Sequence, residues 1–142
     1  MILYLDTSSL VKLYVDENHS ASVRKWAGDA EIIATCRVAY PEAISALHRR
    51  LRSGDIGRKP YDLLVSALSS DWPRYSVTDI DELEAGKFAA SYGLRGFDAV
   101  HLSAAMMLKT SRPGVSLAFS SFDEKLNSAA ASERLKVLMP RQ

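Results

Sequence analysis

Two periodicities of apolar and polar positions run through the chain. A short apolar run, Ile2-Leu3-Tyr4-Leu5, ends in Asp6 and three small hydroxylated residues, Thr7, Ser8 and Ser9. Four such side chains in a row predict a buried strand. Leu10, Val11, Tyr14 and Val15 then recur at helical spacing, so a short helix is expected from Thr7 to about Val15, closed by Asp16-Glu17-Asn18. A second helix is expected over His19 to Ala27, stopping at Gly28, and a second strand over Glu31 to Thr35. The clearest helix runs from about Val38 to Leu51, where Tyr40, Ile44, Leu47 and Leu51 form an apolar stripe. Pro41 in its first turn costs little, and Gly54 is a natural stop.

Pro60 to Leu68 predicts a further helix, broken at Asp71-Trp72-Pro73, with a short strand at Tyr75 to Val77. Helical spacing returns over Asp79 to Tyr92, with Gly93 as its stop, and more strongly over Phe97 to Leu108. Pro113-Gly114 turns the chain into a fourth strand, Val115 to Phe119. Ser121-Phe122-Asp123-Glu124 has the pattern of a capping box opening a helix to about Ala131. Leu135 to Leu138 closes the series as a fifth strand. Strands separated by helices imply an α/β fold, a three-layer α/β/α sandwich with a mostly parallel sheet, in a single domain over 1–142.

Composition narrows this only a little. Over 142 residues, 47% are apolar and 25% charged, as in an ordinary globule, and eighteen basic against seventeen acidic residues leave a net charge of +1. One cysteine, Cys36, excludes an internal disulfide or a cysteine-based metal cluster and reads as a buried core thiol. No apolar run approaches the ~18 residues needed to span a bilayer, and no signal-like segment precedes Asp6, so a cytoplasmic location is the default expectation.

Candidate chemistry lies in four acids at element boundaries. Asp6 ends the first strand, Glu42 follows Pro41 at the front of a helix, Asp98 opens the most apolar helix, and Asp123 follows the fourth strand. In a parallel sheet Asp6 and Asp123 share the carboxyl rim, where open α/β sheets bind ligands. Each acid alone could be simple helix-end chemistry. Four together would raise one another's pKa, and the usual remedy is a bound cation. All-oxygen ligands suit Mg²⁺ or Mn²⁺ better than Zn²⁺, and such an ion suits phosphodiester hydrolysis by an activated water. Thr7, Ser8 and Ser121 would share the rim, orienting a water or an acid, or simply capping.

Around these four, other residues keep two readings. Arg95 and Arg37 could each contact a backbone phosphate, pair with a site acid, or be ordinary surface arginines. His101, one turn after Asp98, is either a satisfied structural histidine or a contact to RNA or an acid. The basic run His48-Arg49-Arg50-Arg52 is a solvated helix end or a surface for phosphate or a protein partner. Trp26 and Trp72 read as packing residues, Tyr14 and Tyr61 as packing residues or part of an interface, and no aromatic interleaving marks a stacking platform.

LDTSSLVKLY, PEAISAL, RGFDAVHLSAA and AFSSFDEKLNSAA, in this order, resemble the PIN-domain nucleases, especially the toxin component of VapBC toxin–antitoxin pairs. The resemblance covers essentially the whole chain. It implies a PIN-like α/β/α sandwich and an Mg²⁺- or Mn²⁺-dependent endoribonuclease whose catalytic and metal-binding acids are Asp6, Glu42, Asp98 and Asp123. The hydroxyls of Thr7 and Ser121 match positions often occupied in that family. The resemblance also implies an RNA substrate, a homodimer, and a cognate antitoxin with a segment over the acidic groove. Two other classes remain: a catalytically inactive PIN-like module that binds RNA or protein, and a phospho-accepting enzyme with Asp6 as nucleophile. The latter would want a second Asp two residues on, where Ser8 stands.

Overall fold

A computed structural model describes residues 1–141; Gln142, the last residue of the expected domain, lies outside the described residues. Five parallel strands form one sheet in the order β3-β2-β1-β4-β5. They are β1 Ile2–Leu5, β2 Ile32–Cys36, β3 Ser76–Thr78, β4 Leu117–Ser120 and β5 Lys136–Val137. The helices are α1 Thr7–Tyr14, α2 Ser20–Asp29, α3 Ala39–Arg52, α4 Arg58–Asp71, α5 Glu82–Tyr92, α6 Gly96–Ser111 and α7 Glu124–Ser132, with a 3₁₀ turn at Trp72–Arg74. None is long and apolar enough to cross a membrane.

β1 is the hub because every one of its side chains is buried. Successive strand residues point to opposite faces, and the cores divide accordingly. Ile2 and Tyr4 join Leu102, Ala105, Phe119 and Leu126 under α5, α6 and α7. Leu3 and Leu5 join Leu10, Val23, Ala43, Leu47 and Leu68 under α1 to α4. Tyr4 stacks on Phe119 with ring centroids 5.6 Å apart and planes inclined by 3°. The expected three-layer sandwich is what forms.

Boundaries depart from the expected ones where tertiary contacts or caps intervene. α2 runs through Gly28 to Asp29, since a glycine permits a stop without imposing one. Its start is set by His19, held in the left-handed region at φ 68°. α5 begins only at Glu82, because the Asp81 carboxylate accepts from the Glu84 amide at 3.1 Å and caps the helix there. The capping box expected at Ser121 does not form. Asp123 is the cap of α7, accepting from the Leu126 amide at 2.8 Å, while Ser121 Oγ accepts from the Asp123 amide at 3.0 Å.

The strand order reverses direction between β1 and β4. From β1 the chain builds outward through β2 to β3, then returns to place β4 on the other side of β1. A crevice opens at the carboxyl ends of strands where such a reversal occurs.

Candidate active site

All four acids line one cleft of about 1020 Å³ at this reversal. They arrive there because four helices begin at the carboxyl rim of the sheet. Asp6 is the N-cap of α1 and Asp123 the N-cap of α7. Glu42 and Asp98 lie in the first turns of α3 and α6. Free N–H groups and the helix dipole favour negative charge at each of these ends, offsetting part of the cost of gathering carboxylates.

Asp6 is 4% exposed, with Oδ1 accepting from Ser8 Oγ at 2.7 Å and from the Ser9 amide at 2.9 Å. Ser8 Oγ also accepts from the Phe122 amide at 3.1 Å, tying Asp6 to the loop that carries Asp123. Ser9 Oγ lies 2.8 Å from Ser120 Oγ, and the Asp6 amide donates to the Ser120 carbonyl at 3.1 Å. The start of α1 is thereby fastened to the end of β4.

Glu42 is held from the opposite wall. Thr7 Oγ1 donates to Glu42 Oε1 at 2.6 Å, and His101 Nε2 lies 3.0 Å from that oxygen and 3.0 Å from Thr7 Oγ1. Thr7 has one proton and gives it to Glu42, so Nε2 must be the donor in both of its contacts. Nδ1 is then an acceptor, and the Tyr4 hydroxyl stands 2.7 Å away to donate. Tyr4 is fit for that role, since burial first, then Cys36, Asp6 and Glu42, pushes its phenol well above the ordinary value and keeps it protonated. His101, at 2% exposure, is thus a satisfied structural histidine that orients an acid.

The two outer acids are joined by a guanidinium. Arg95 Nε donates to Asp98 Oδ2 at 3.1 Å, and Arg95 Nη2 lies 3.6 Å from Asp123 Oδ2. Burial pulls the Asp98 carboxyl above its ordinary value; Arg95 opposes this, and the neighbouring Asp123 and Asp6 charges reinforce it. Burial would also raise Glu42, but hydrogen bonds from His101 and Thr7, with the Arg95 charge nearby, leave it below the ordinary value. Asp98 therefore stands among like charges, which is the strain a cation relieves.

Among the described residues no three His, Cys, Asp or Glu side chains stand close enough together to ligate one ion directly. The acids share the cleft without converging on one point: Glu42 is turned toward His101, and Asp98 and Asp123 toward Arg95. The donor set itself fits a hard divalent ion. It consists of carboxylate oxygens only, and one oxygen each of Asp6, Glu42 and Asp98 has no hydrogen-bond partner among the described residues. Mg²⁺ in particular keeps several waters and needs few direct carboxylates.

Arg37 does not reach the cleft. It pairs with Asp79 at 2.8 Å, joining the end of β2 to the loop after β3, and does not line the cavity. The cleft's other wall is Lys12, Glu17, Phe122 and Arg50, of which sequence reading singled out only Arg50, within the basic run. Lys12 pairs with Glu17 at 3.0 Å and sits 4.7 Å from the Phe122 ring centre, while Arg50 joins Glu17 and Asp55. Only the Lys12–Glu17 and Arg50–Asp55 spacings are visible along the chain. The pairing of residues 17 and 50 comes from the packing of α1 on α3.

Fold and site together define an α/β/α sandwich protein with an acidic, helix-capped cleft at the strand-order reversal. The family profile described as "PIN domain" matches residues 3–132. The chain belongs to the PIN domain family. It is 29% identical over 143 residues to a Mycobacterium tuberculosis protein named Ribonuclease VapC45, covering 96% of this chain and 94% of that one. Among solved structures it resembles FitAcB from Neisseria gonorrhoeae, with a TM-score of 0.68 and 18% identity over 98% of this chain and 97% of that one. PAE2754 from Pyrobaculum aerophilum superposes with a TM-score of 0.67 and 20% identity, over 96% and 83% respectively.

Proposed function

We propose that this protein is a divalent-metal-dependent endoribonuclease that hydrolyses RNA phosphodiester bonds, and that it is the toxin of a toxin–antitoxin pair. One observation carries the reading: acids from positions 6, 42, 98 and 123 meet in a single cleft, at the starts of four different helices. Capping alone requires no such meeting. The name of the VapC45 relative supports the same activity.

Mg²⁺ or Mn²⁺ bound among these acids would supply Lewis acidity, lowering the pKa of an attacking water and neutralising charge on the phosphoryl oxygens. Asp6, Asp98, Glu42 and Asp123 are the residues that would hold it. Ser8 and the Ser9 amide fix one Asp6 oxygen and leave the other for the cleft. Thr7 and His101 do the same for Glu42. Arg95, 82% exposed at its side chain, lies between Asp98 and Asp123, where it can turn from the acids to a backbone phosphate. Ser121 supports Asp123 by accepting its amide proton.

A cognate antitoxin would silence the enzyme by laying a segment over the acidic cleft, and a homodimer would bury Ile80, Leu83 and Phe97, which are exposed at the α5–α6 end. The deciding experiment incubates purified protein with RNA in Mn²⁺, in Mg²⁺ and in EDTA, beside Asp6→Asn. Cleavage by the parent alone, and only with metal, is expected. Equal cleavage by variant and parent would remove the enzyme and leave a PIN-fold binding module.

A further inference from the structure

The cleft continues beyond its acids along α3. Glu42, Ser45, Arg49 and Ser53 all line it, at spacings of three and four residues that set them on one helix face. An acid and a guanidinium thus stand about 10 Å apart along the axis, at ~1.5 Å per residue. Arg49 Nη1 donates to Ser45 Oγ at 3.0 Å, which draws the guanidinium back toward the Glu42 end. The cleft's other cations are all engaged: Lys12 with Glu17, Arg50 with Glu17 and Asp55, Arg95 with Asp98 and Asp123. Arg49 has no acidic partner among the described residues, and neither has Arg52 one turn further on.

Arg49 and Ser45 are also the near wall of a second hollow, of about 500 Å³. Its far side holds Arg52, His48 and Tyr61. There the His48 and Tyr61 rings meet edge to face, with centroids 5.9 Å apart. A helix C-terminus favours arginines, which explains their presence in the last turn. It does not explain why the two unpaired ones mark a ridge leading from the carboxylates to an aromatic ring.

We propose that Arg49 and Arg52 bind successive backbone phosphates of the single-stranded RNA flanking the scissile bond, and that the Tyr61 ring stacks on a base at the end of this track. The proposal rests on the nuclease reading of the cleft and names the part of the substrate that reading leaves unplaced. A polyanion approaching a carboxylate cluster needs cations that no acid has already neutralised, and these are the two along its path. The Tyr61 ring is half-buried with the Arg58 guanidinium 5.8 Å from its centre, and a base would stack on it in place of that cation. Beside Tyr40, Pro41 and Ile44 the hollow holds His48, Arg49 and Arg52, a cationic edge that suits a polyanion.

The test is fluorescence anisotropy of a labelled ten-nucleotide RNA in EDTA, where binding is read without cleavage. The double variant R49Q/R52Q is expected to bind at least tenfold more weakly at low salt. Its slope of log affinity against log salt should fall by about 1.4, since each lost single-strand phosphate contact removes about 0.7. R49K/R52K should recover most of the affinity and the whole slope, which a misfolded variant would not. Y61L should weaken binding and leave the slope alone. If R49Q/R52Q keeps the parent's affinity and slope, the track does not exist. If it loses a protein partner while holding RNA normally, the face docks protein and the proposal is overturned. A parent that binds RNA with the expected salt slope but cuts nothing in Mn²⁺ would defeat the nuclease reading instead.

Discussion

The Tyr4 hydroxyl lies 2.7 Å from Nδ1 of His101, ninety-seven residues away, beneath the acidic cleft. With Nε2 donating to Glu42, Nδ1 accepts here, and the Tyr4 hydroxyl holds the ring in that tautomer. Tyr4→Phe removes the donor and keeps the ring that stacks on Phe119. The buried Nδ1 is then unpartnered, a loss of about 1–3 kcal/mol, seen as a fall of several degrees in Tm. Metal affinity and cleavage should fall about 10–100-fold, the usual cost of losing a group that orients a ligand, with KM for RNA nearly unchanged. Nitrogen chemical shifts of His101 should report a changed tautomer. An unaltered ring spectrum with full activity would remove Tyr4 from the arrangement.

Asp123 has two roles that substitution can separate. Asparagine caps a helix about as well as aspartate, whereas alanine loses about 1 kcal/mol. Asp123→Asn should therefore unfold like the parent, and Asp123→Ala at a lower denaturant midpoint. Both should lose cleavage by about a hundredfold, the scale of one preorganised charge in a transition state. Full cleavage by Asp123→Asn would show that the cap is its only role.

Glu42 and Asp98 should pull stability in opposite directions with pH. The folded Glu42 carboxyl lies below its ordinary value of 4.5, so its contribution is complete above 4.5 and is lost as pH falls through the folded pKa. The Asp98 carboxyl lies above its ordinary 3.8, so ionising it opposes folding, and that cost disappears as pH drops below 3.8. Urea midpoints measured across the acid limb should fall less steeply for Glu42→Gln than for the parent. For Asp98→Asn they should fall more steeply. Parallel curves for all three proteins would contradict the assigned hydrogen bonds.

Chelation should abolish cleavage, and Mn²⁺ should restore it. Because an ion held by the folded cleft stabilises only the native state, Mn²⁺ at a hundred times its Kd should add about 2.7 kcal/mol. Differential scanning fluorimetry would record that as a Tm rise, absent in Asp98→Asn. The rise should shrink as the buffer is acidified toward the elevated Asp98 pKa, where proton and metal compete for one carboxylate.

Much of this was legible along the chain because it is local. β1 is a run of four buried residues, and α3 and α6 announce themselves by spacing. The four acids stand out as charges set against apolar runs. What was hidden is what distant residues do to one another. Nothing near Arg37 in sequence says that Asp79 will claim it, and nothing near Glu17 predicts Arg50. Tyr61 looks isolated until α4 lays it beside His48. Boundary errors share one cause: Gly28 and Ser121 are permissive residues, and neighbouring packing or a better cap at Asp123 decided the outcome.

The strand order has a consequence for biosynthesis. β1 occupies the middle of the sheet, yet its neighbour β4 begins at Leu117, long after β1 has left the ribosome. Until that late strand inserts, one edge of β1 has no partner, and the loop bearing Asp123 has nowhere to dock. A growing polypeptide thus carries Asp6, Glu42 and Asp98 without Asp123 while residues 99–122 are added, and the four-acid cleft assembles only once β4 has paired with β1.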